Sequence, residues 1–247
     1  MEAALSAIDF FRQMHGHYRL AIERFQGRAM LLDALLQGAW QRFDENVAVQ
    51  CEGLPELDCH KGCATCCTLR VTATAPEVFM LARFIRAVSP GLARHGISLR
   101  DQVAQANVST CGRGESDRVV IRQRCPFIAQ GACVIYQVRP LACRGLASYD
   151  RKACAQAASG KIDQIPYSEP HMRVRSLVQN ALQSALRDGG LAWASYELNQ
   201  SLQMALDDTG LEQRWLQGED VLRVAQVSEV DEAEMAATFD KLKQVAS

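Results

Sequence analysis

Between Ile22 and Phe43 the apolar positions Ile22, Phe25, Ala29, Leu32, Leu36, Ala39 and Phe43 alternate steps of three and four. A helix turns once in ~3.6 residues, so this spacing lays them on one face and predicts a single long amphipathic helix. Such heptads can also form a dimer seam. Burial against the protein's own core is the preferred expectation, with a homodimer as the alternative. Val78, Leu81, Ala82, Ile85 and Val88 recur at helical spacing behind Pro76, which suits a first turn. That helix is expected to end near Ser89-Pro90-Gly91. Another is expected over about 98–107. Val174, Leu177, Val178, Ala181, Leu182 and Ala185 outline a helix stopped by Gly189-Gly190. Leu191 to Leu206 and Glu229 to Val245 read as two more. From Cys111 to about Gly160, turn residues and short apolar runs show no sustained period.

All seven prolines fall between positions 55 and 170. Proline interrupts helices, so the expected fold is mainly α: helical flanks around an irregular, loop-rich middle. The segments are 1–54, 55–165 and 166–247, packed as one compact unit. No alternation of strand and helix and no internal repeat is present, which disfavours a doubly wound sheet or a barrel.

With 247 residues, 48% of them hydrophobic, the chain is neither a disordered tail nor a small disulfide toxin. A formal charge of −1 gives no overall field to draw in nucleic acid or an anionic membrane. Residues 204–247 carry ten acids against four bases, whereas residues 113–152 carry eight bases against three acids. The opening segment, Met1 to Arg12, lacks the basic and uninterrupted apolar regions of a signal peptide. No run of ~18 apolar residues could span a bilayer. A cytoplasmic protein is therefore expected, without membrane contact, and its thiols should stay reduced.

That compartment gives the ten cysteines their meaning. The densest run is Cys59-His60-Lys61-Gly62-Cys63-Ala64-Thr65-Cys66-Cys67. Short spacers and a glycine let several sulfurs converge from one loop, as a metal site requires. Neighbouring side chains diverge in helix and strand alike, so Cys66 and Cys67 are not expected to serve one ion together; one of them is expected to serve a second centre, bridge two metals or stay a free thiol. His60, lying between candidate ligands, is the one histidine of interest; His15 and His17 lie far away in sequence. No Ser/His/Asp set, phosphate loop or dinucleotide fingerprint appears.

A second group follows: Cys125-Pro126-Phe127, then Gly131-Ala132-Cys133-Val134-Ile135-Tyr136-Gln137-Val138-Arg139-Pro140-Leu141-Ala142-Cys143-Arg144, then Cys154. Together the two groups resemble the CxxCxxCC, or YkgJ-like, cysteine-cluster family, which chelates zinc or iron. The resemblance covers about residues 59–154. It implies metal binding by Cys59, Cys63, Cys66, Cys67, Cys125, Cys133, Cys143 and Cys154. The sequence departs from the family pattern in having three residues, not two, between Cys59 and Cys63. Cys51 and Cys111 fall outside the pattern and are expected to be ordinary buried thiols. Some longer relatives are flagellin lysine methylases, so the resemblance also admits methylation dependent on S-adenosylmethionine (SAM). Cys59-x-x-x-Cys63-x-x-Cys66 has the spacing of radical SAM enzymes too, but those sit on a βα barrel for which this chain offers no strands.

The long gaps from 125 to 133, 143 and 154 suit a cluster wrapped by separate loops, which favours iron-sulfur over zinc or iron ions, and either over a purely redox thiol site. Arg124, Arg139 and Arg144, with Tyr136, flank candidate ligands. They either offset negative sulfur or bind an anionic small molecule. Arg113 and Arg118 read as solvated surface charge. Phe127, Tyr136 and Tyr149 are too few to suggest a nucleic-acid surface. Two function classes follow. One is an enzyme with an open metal position for redox or group transfer. The other is a metal-stabilised module whose helices bind a protein partner.

Overall fold

The computed structural model describes residues 6–60, 62–162 and 164–244. Residues 1–5 of the opening segment and Val245, the expected end of the last helix, lie outside them. The described residues form α1 (Ala7–Phe25), α2 (Met30–Gln50), β1 (Thr72–Ala73), α3 (Ala75–Ala93), α4 (Leu99–Thr110) and α5 (Glu115–Ile121). There follow β2 (Ile128–Ala129), β3 (Ala132–Cys133), α6 (Leu141–Gly145), α7 (Arg151–Ala158) and α8 (Glu169–Asp188). The chain closes with β4 (Tyr196–Glu197), α9 (Leu198–Asp207), α10 (Leu211–Leu216) and α11 (Glu232–Gln244). The fold is mainly α, with helical flanks and short elements between them, as the proline distribution implies. None of these helices is long and apolar enough to cross a membrane.

The apolar stripe from Ile22 to Phe43 is not one helix. It breaks at Gln26–Ala29, where Gly27 takes φ +74°, a left-handed conformation that favours glycine. The chain then doubles back, and a Cβ at Gly38 would lie 2.7 Å from His17 Nε2 on the facing helix. Both α1 and α2 also pack on α8. The spacing thus reports burial of two helices on a third rather than continuity between the two. Ile22, Leu32, Leu36, Ala39 and Phe43 are all buried inside the chain, so the candidate dimer seam is spent on its own core.

Two other boundaries differ. Helix α3 runs through Pro90 to Ala93. Proline costs a helix the bond to the carbonyl four residues back, but Pro90 and Arg86 are both exposed, so water can satisfy that carbonyl. The stretch 191–206 is helical only from Leu198, because β4 is taken up in antiparallel pairing with β1, Thr72 opposite Glu197 and Ala73 opposite Tyr196. Glu197 then caps α9, accepting the Gln200 N–H at 2.7 Å.

The core draws on all three segments. Phe11, Tyr18, Leu35, Phe79, Leu81, Leu141, Val178, Leu182, Leu202 and Trp215 belong to a single buried cluster. Helix α3, from the middle of the chain, packs between α2 and α9, and α6 rests on α8. The cysteine-rich loops therefore sit against a floor of packed helices.

Candidate metal centre

The loop after α2 carries the first cysteines through consecutive turns. Cys63 N–H bonds the His60 carbonyl at 3.0 Å, Cys67 N–H that of Ala64 at 3.1 Å, and Leu69 N–H that of Cys66 at 3.1 Å. Gly62, at φ +95°, makes the first of these bends possible. Because residues 64–69 are neither helix nor strand, adjacent side chains need not diverge. The Cys66 thiol is held well above its ordinary pKa by its neighbour Cys67 and by burial.

Two sets of backbone bonds fix this loop. Asp58 N–H reaches the Ser148 carbonyl at 3.1 Å, and Ser148 N–H donates to Cys59 Sγ at 3.3 Å. Arg151 N–H donates to the Asp58 carboxylate at 2.9 Å, at the entry to α7, which carries Cys154. At the other end, Cys125 N–H bonds the Cys67 carbonyl at 2.7 Å. Beyond Cys125, Gln130 and Gly131 both have positive φ and form the two-residue turn that pairs Ile128 with Cys133. Cys143 lies on α6, whose first N–H, that of Leu141, donates at 2.7 Å to the buried Glu77 of α3.

These connections gather the sulfurs. Cys63, Cys66 and Cys154 lie close enough to Cys59 to repel its thiolate. Cys133 and Cys66 do the same to Cys125, and Cys125, Cys66 and Cys133 to Cys143. Burial pushes the Cys125 thiol up to about 11 despite an N–H bond from Phe127, and pushes Cys143 up further. Among the described residues no three Cys, His, Asp or Glu side chains are placed to hold an ion. The fit to a soft metal lies instead in the donor set and its surroundings. The donors of these loops are sulfur, and backbone N–H groups favour them, as Ser148 N–H does for Cys59 Sγ at 3.3 Å.

The arginines divide. Arg139 lies with its guanidinium carbon 4.1 Å from the Tyr136 ring centre, and its positive charge favours the thiolates of Cys66, Cys133 and Cys143. Its Nε is buried with no partner among the described residues. Arg144, only 8% exposed, turns away from the sulfurs. It donates to the carbonyls of Gln137 at 2.6 Å and Arg139 at 3.2 Å, and reaches Asp44 of α2 at 3.4 Å. Its role is to hold the loop that presents Arg139. Arg124 is exposed. Arg118 is not solvated surface charge: it is 3% exposed and bonds buried Glu197 at 2.8 Å, fastening α5 to the end of β4. Arg113 is exposed, as expected. Cys111 is exposed and Cys51 only half-buried, so neither is the fully buried thiol that was expected.

Four contributors lie outside the cysteine pattern. Glu77 Oε2 accepts the N–H and hydroxyl of Thr74, at 2.7 and 2.8 Å, while its other oxygen anchors α6. Burial pushes its pKa up against those bonds. Thr74-x-x-Glu77 is a capping-box signal that was legible. Arg175 on α8 lies between Glu77 and Cys143, and both hold up a pKa that burial lowers. Its signal was a base inside an apolar stripe. Tyr167, raised by burial and by nearby Cys154 and Cys66, gave no local signal. Neither did His171, whose Nδ1 meets Ser168 Oγ at 2.7 Å and whose pKa falls by burial and by Arg139. The singled-out His60 bonds the Asp58 carbonyl at 3.0 Å and is exposed.

Comparison with known proteins agrees with this geometry. Residues 58–162 match the family model CxxCxxCC, described as a putative zinc- or iron-chelating domain. The match spans the cysteine-rich middle, together with α3 and α4, and neither flank. No match was found among curated proteins or among solved structures.

Proposed function

We propose that the chain holds zinc or iron through thiolates of Cys59, Cys63, Cys66, Cys67, Cys125, Cys133, Cys143 and Cys154. The observation that carries this reading is that backbone bonds tie the two cysteine runs together: Cys125 N–H bonds the Cys67 carbonyl at 2.7 Å, and Ser148 N–H, from the loop before Cys154, donates to Cys59 Sγ at 3.3 Å. Soft sulfur selects zinc and iron over hard cations, and Arg139 offsets the charge that several thiolates bring together. Metal, when bound, neutralises thiolates that burial and mutual repulsion otherwise oppose. Metal content of anaerobically purified protein tests this directly. Cys63→Ser and Cys143→Ser should lower it and Cys51→Ser should not; unchanged content in both cluster variants would overturn the assignment.

An iron-sulfur cluster is the second reading. It is supported by Cys125, Cys133 and Cys143 coming from a loop, a hairpin and a helix, the separate elements that wrap such a cluster. Acid-labile sulfide and Mössbauer spectra distinguish it from simple ions. Redox or group-transfer chemistry would need a ligand position that a small molecule can reach. Cys59, the exposed sulfur of the set, supports such a position.

A further inference from the structure

We infer that two copies of this chain dock through the face built from α5 and the segment 219–234, each copy setting its basic α5 region against the acidic segment of the other. This contact is separate from the cysteine loops and from the apolar stripe of α1 and α2, which is buried within the chain.

The face begins with apolar side chains turned to solvent. Val119, Val120 and Ile121 close α5 and all are exposed, Val120 at 78%. Arg118 before them turns inward to Glu197, and the ~100° step of a helix carries the next two residues outward. Val224, also 78% exposed, and Val230 lie on the second segment. The two segments are neighbours. Arg70 holds Glu115 of α5 at 3.2 Å and Glu229 at 2.7 Å, and a Cβ at Gly114 would lie 3.5 Å from Glu229 Oε1. Both are also fastened to β4, one by the Arg118–Glu197 bond at 2.8 Å and the other by an antiparallel bridge between Gln226 and Tyr196. Exposed apolar residues gathered within a charged rim mark a protein contact.

Charge names the partner. Residues 113–124 hold four bases against two acids, and residues 219–234 hold six acids against one base. Arg113, Arg122 and Arg124 are exposed and form no ion pair among the described residues, and neither do Asp231, Glu232 and Glu234. Opposite patches side by side on one face are self-complementary: a twofold axis passing between them sets basic on acidic twice. An anionic membrane or a nucleic acid would be repelled by the acidic half of the same face.

Sedimentation equilibrium of the full-length protein tests this under reducing conditions, so that no disulfide links two chains. A dimer is expected, and it should weaken as salt rises from ~0.1 to ~1 M, which shortens the reach of charge from about 10 to about 3 Å. Arg122→Glu with Arg124→Glu, or Glu232→Lys with Glu234→Lys, should each raise the dissociation constant by ~100-fold, because like charges then meet twice. An equal mixture of the two variants should dimerise as the unaltered chain does, since both contacts regain opposite charges; a merely damaged variant would not be rescued. Val120→Ser, at a position too exposed to hold the fold, should weaken the dimer with no change in helix content by circular dichroism. A monomer at every salt concentration, a dimer indifferent to all three variants, no rescue in the mixture, or open chains longer than a dimer would each overturn the inference.

Discussion

Arg139 and Arg144 look interchangeable along the chain and differ in what they touch. Arg139 has a buried Nε with no partner among the described residues, and its charge favours the thiolates of Cys66, Cys133 and Cys143. Arg144 donates to two loop carbonyls and to Asp44. Groups that support ligands in this way typically matter by ~10–100-fold in metal affinity. Arg139→Ala should therefore weaken affinity by about that factor in a competition titration against a chelator, with little change in melting temperature. Arg144→Ala should do the opposite. It removes the donor from the Gln137 and Arg139 carbonyls and the link to Asp44, and lowers the melting temperature first. Equal effects of the two variants on affinity would contradict this division. At this scale the donors were legible, because sulfur spacing is local. The supporting residues were legible only where they left a local trace, as Thr74-x-x-Glu77 did. Arg175 and Tyr167 became neighbours of the thiols through contacts that no spacing encodes.

Among the elements, α6 and α8 meet where Gly145 faces Arg175. A Cβ at Gly145 would lie 2.8 Å from Arg175 Cβ and Cγ, which are not far ends of a flexible chain, so the helices must move apart. Overpacking of this kind costs about 1–3 kcal/mol, and here it displaces the helix that carries Cys143. Gly145→Ala should lower both melting temperature and metal affinity; retention of both would mean that α6 yields freely. The long helices were legible because their faces are buried on a common core. Their breaks were not, since the turn at Gln26–Ala29 keeps the apolar phase and β4 interrupts a helical pattern through pairing with β1, distant in sequence. Helix α11 is held differently: Phe239 is its one buried residue, stacked against Phe11. Around it, Lys243 bonds Asp188 at 2.8 Å, Arg187 pairs with Asp240, and His15 meets Asp188 at 3.0 Å. Burial raises Asp188, but bonds from Lys243, His15 and Arg187 outweigh it, so its pKa lies below the ordinary 3.8. Burial likewise lowers His15 below 6.5, despite Asp188. Both signs run the same way. From about pH 6.5 downward the unfolded His15 gains its proton before the folded one, and below about pH 3.8 the unfolded Asp188 does so. Stability therefore falls on acidification in two steps. NMR signals of residues 232–244 should move toward unfolded positions before those of α8; simultaneous loss would show that α11 is not the weak element.

Across the whole molecule, one apolar core and one sulfur-rich region divide the work of holding the chain. The core joins α1, α2, α3, α8 and α9 without calling on a cysteine for its largest contacts, since Trp215, Tyr18, Tyr196, Phe11 and Phe79 are among its most buried side chains. The loops from Cys51 to Val71 and from Arg122 to Gly160 contain short turns, a two-residue hairpin and two short helices, and they bury few large residues. A segment so poor in apolar contacts gains its order from bound metal when metal is present, because ligation energy becomes folding energy. The middle segment, residues 55–165, is not uniform in this respect, since α3 and α4 inside it are packed on α2 and α9. Metal removal by a chelator under reducing conditions should therefore act in a split pattern along the middle segment. Hydrogen exchange should accelerate in the two cysteine loops and in α6 and α7, while α3, α4 and the flanking helices keep their protection. Glu77 marks the border, since its bond to Leu141 ties α6 to the persistent floor. Uniform protection with and without metal would show that the loops hold themselves, and loss of protection in α3 would show that the floor itself depends on the metal.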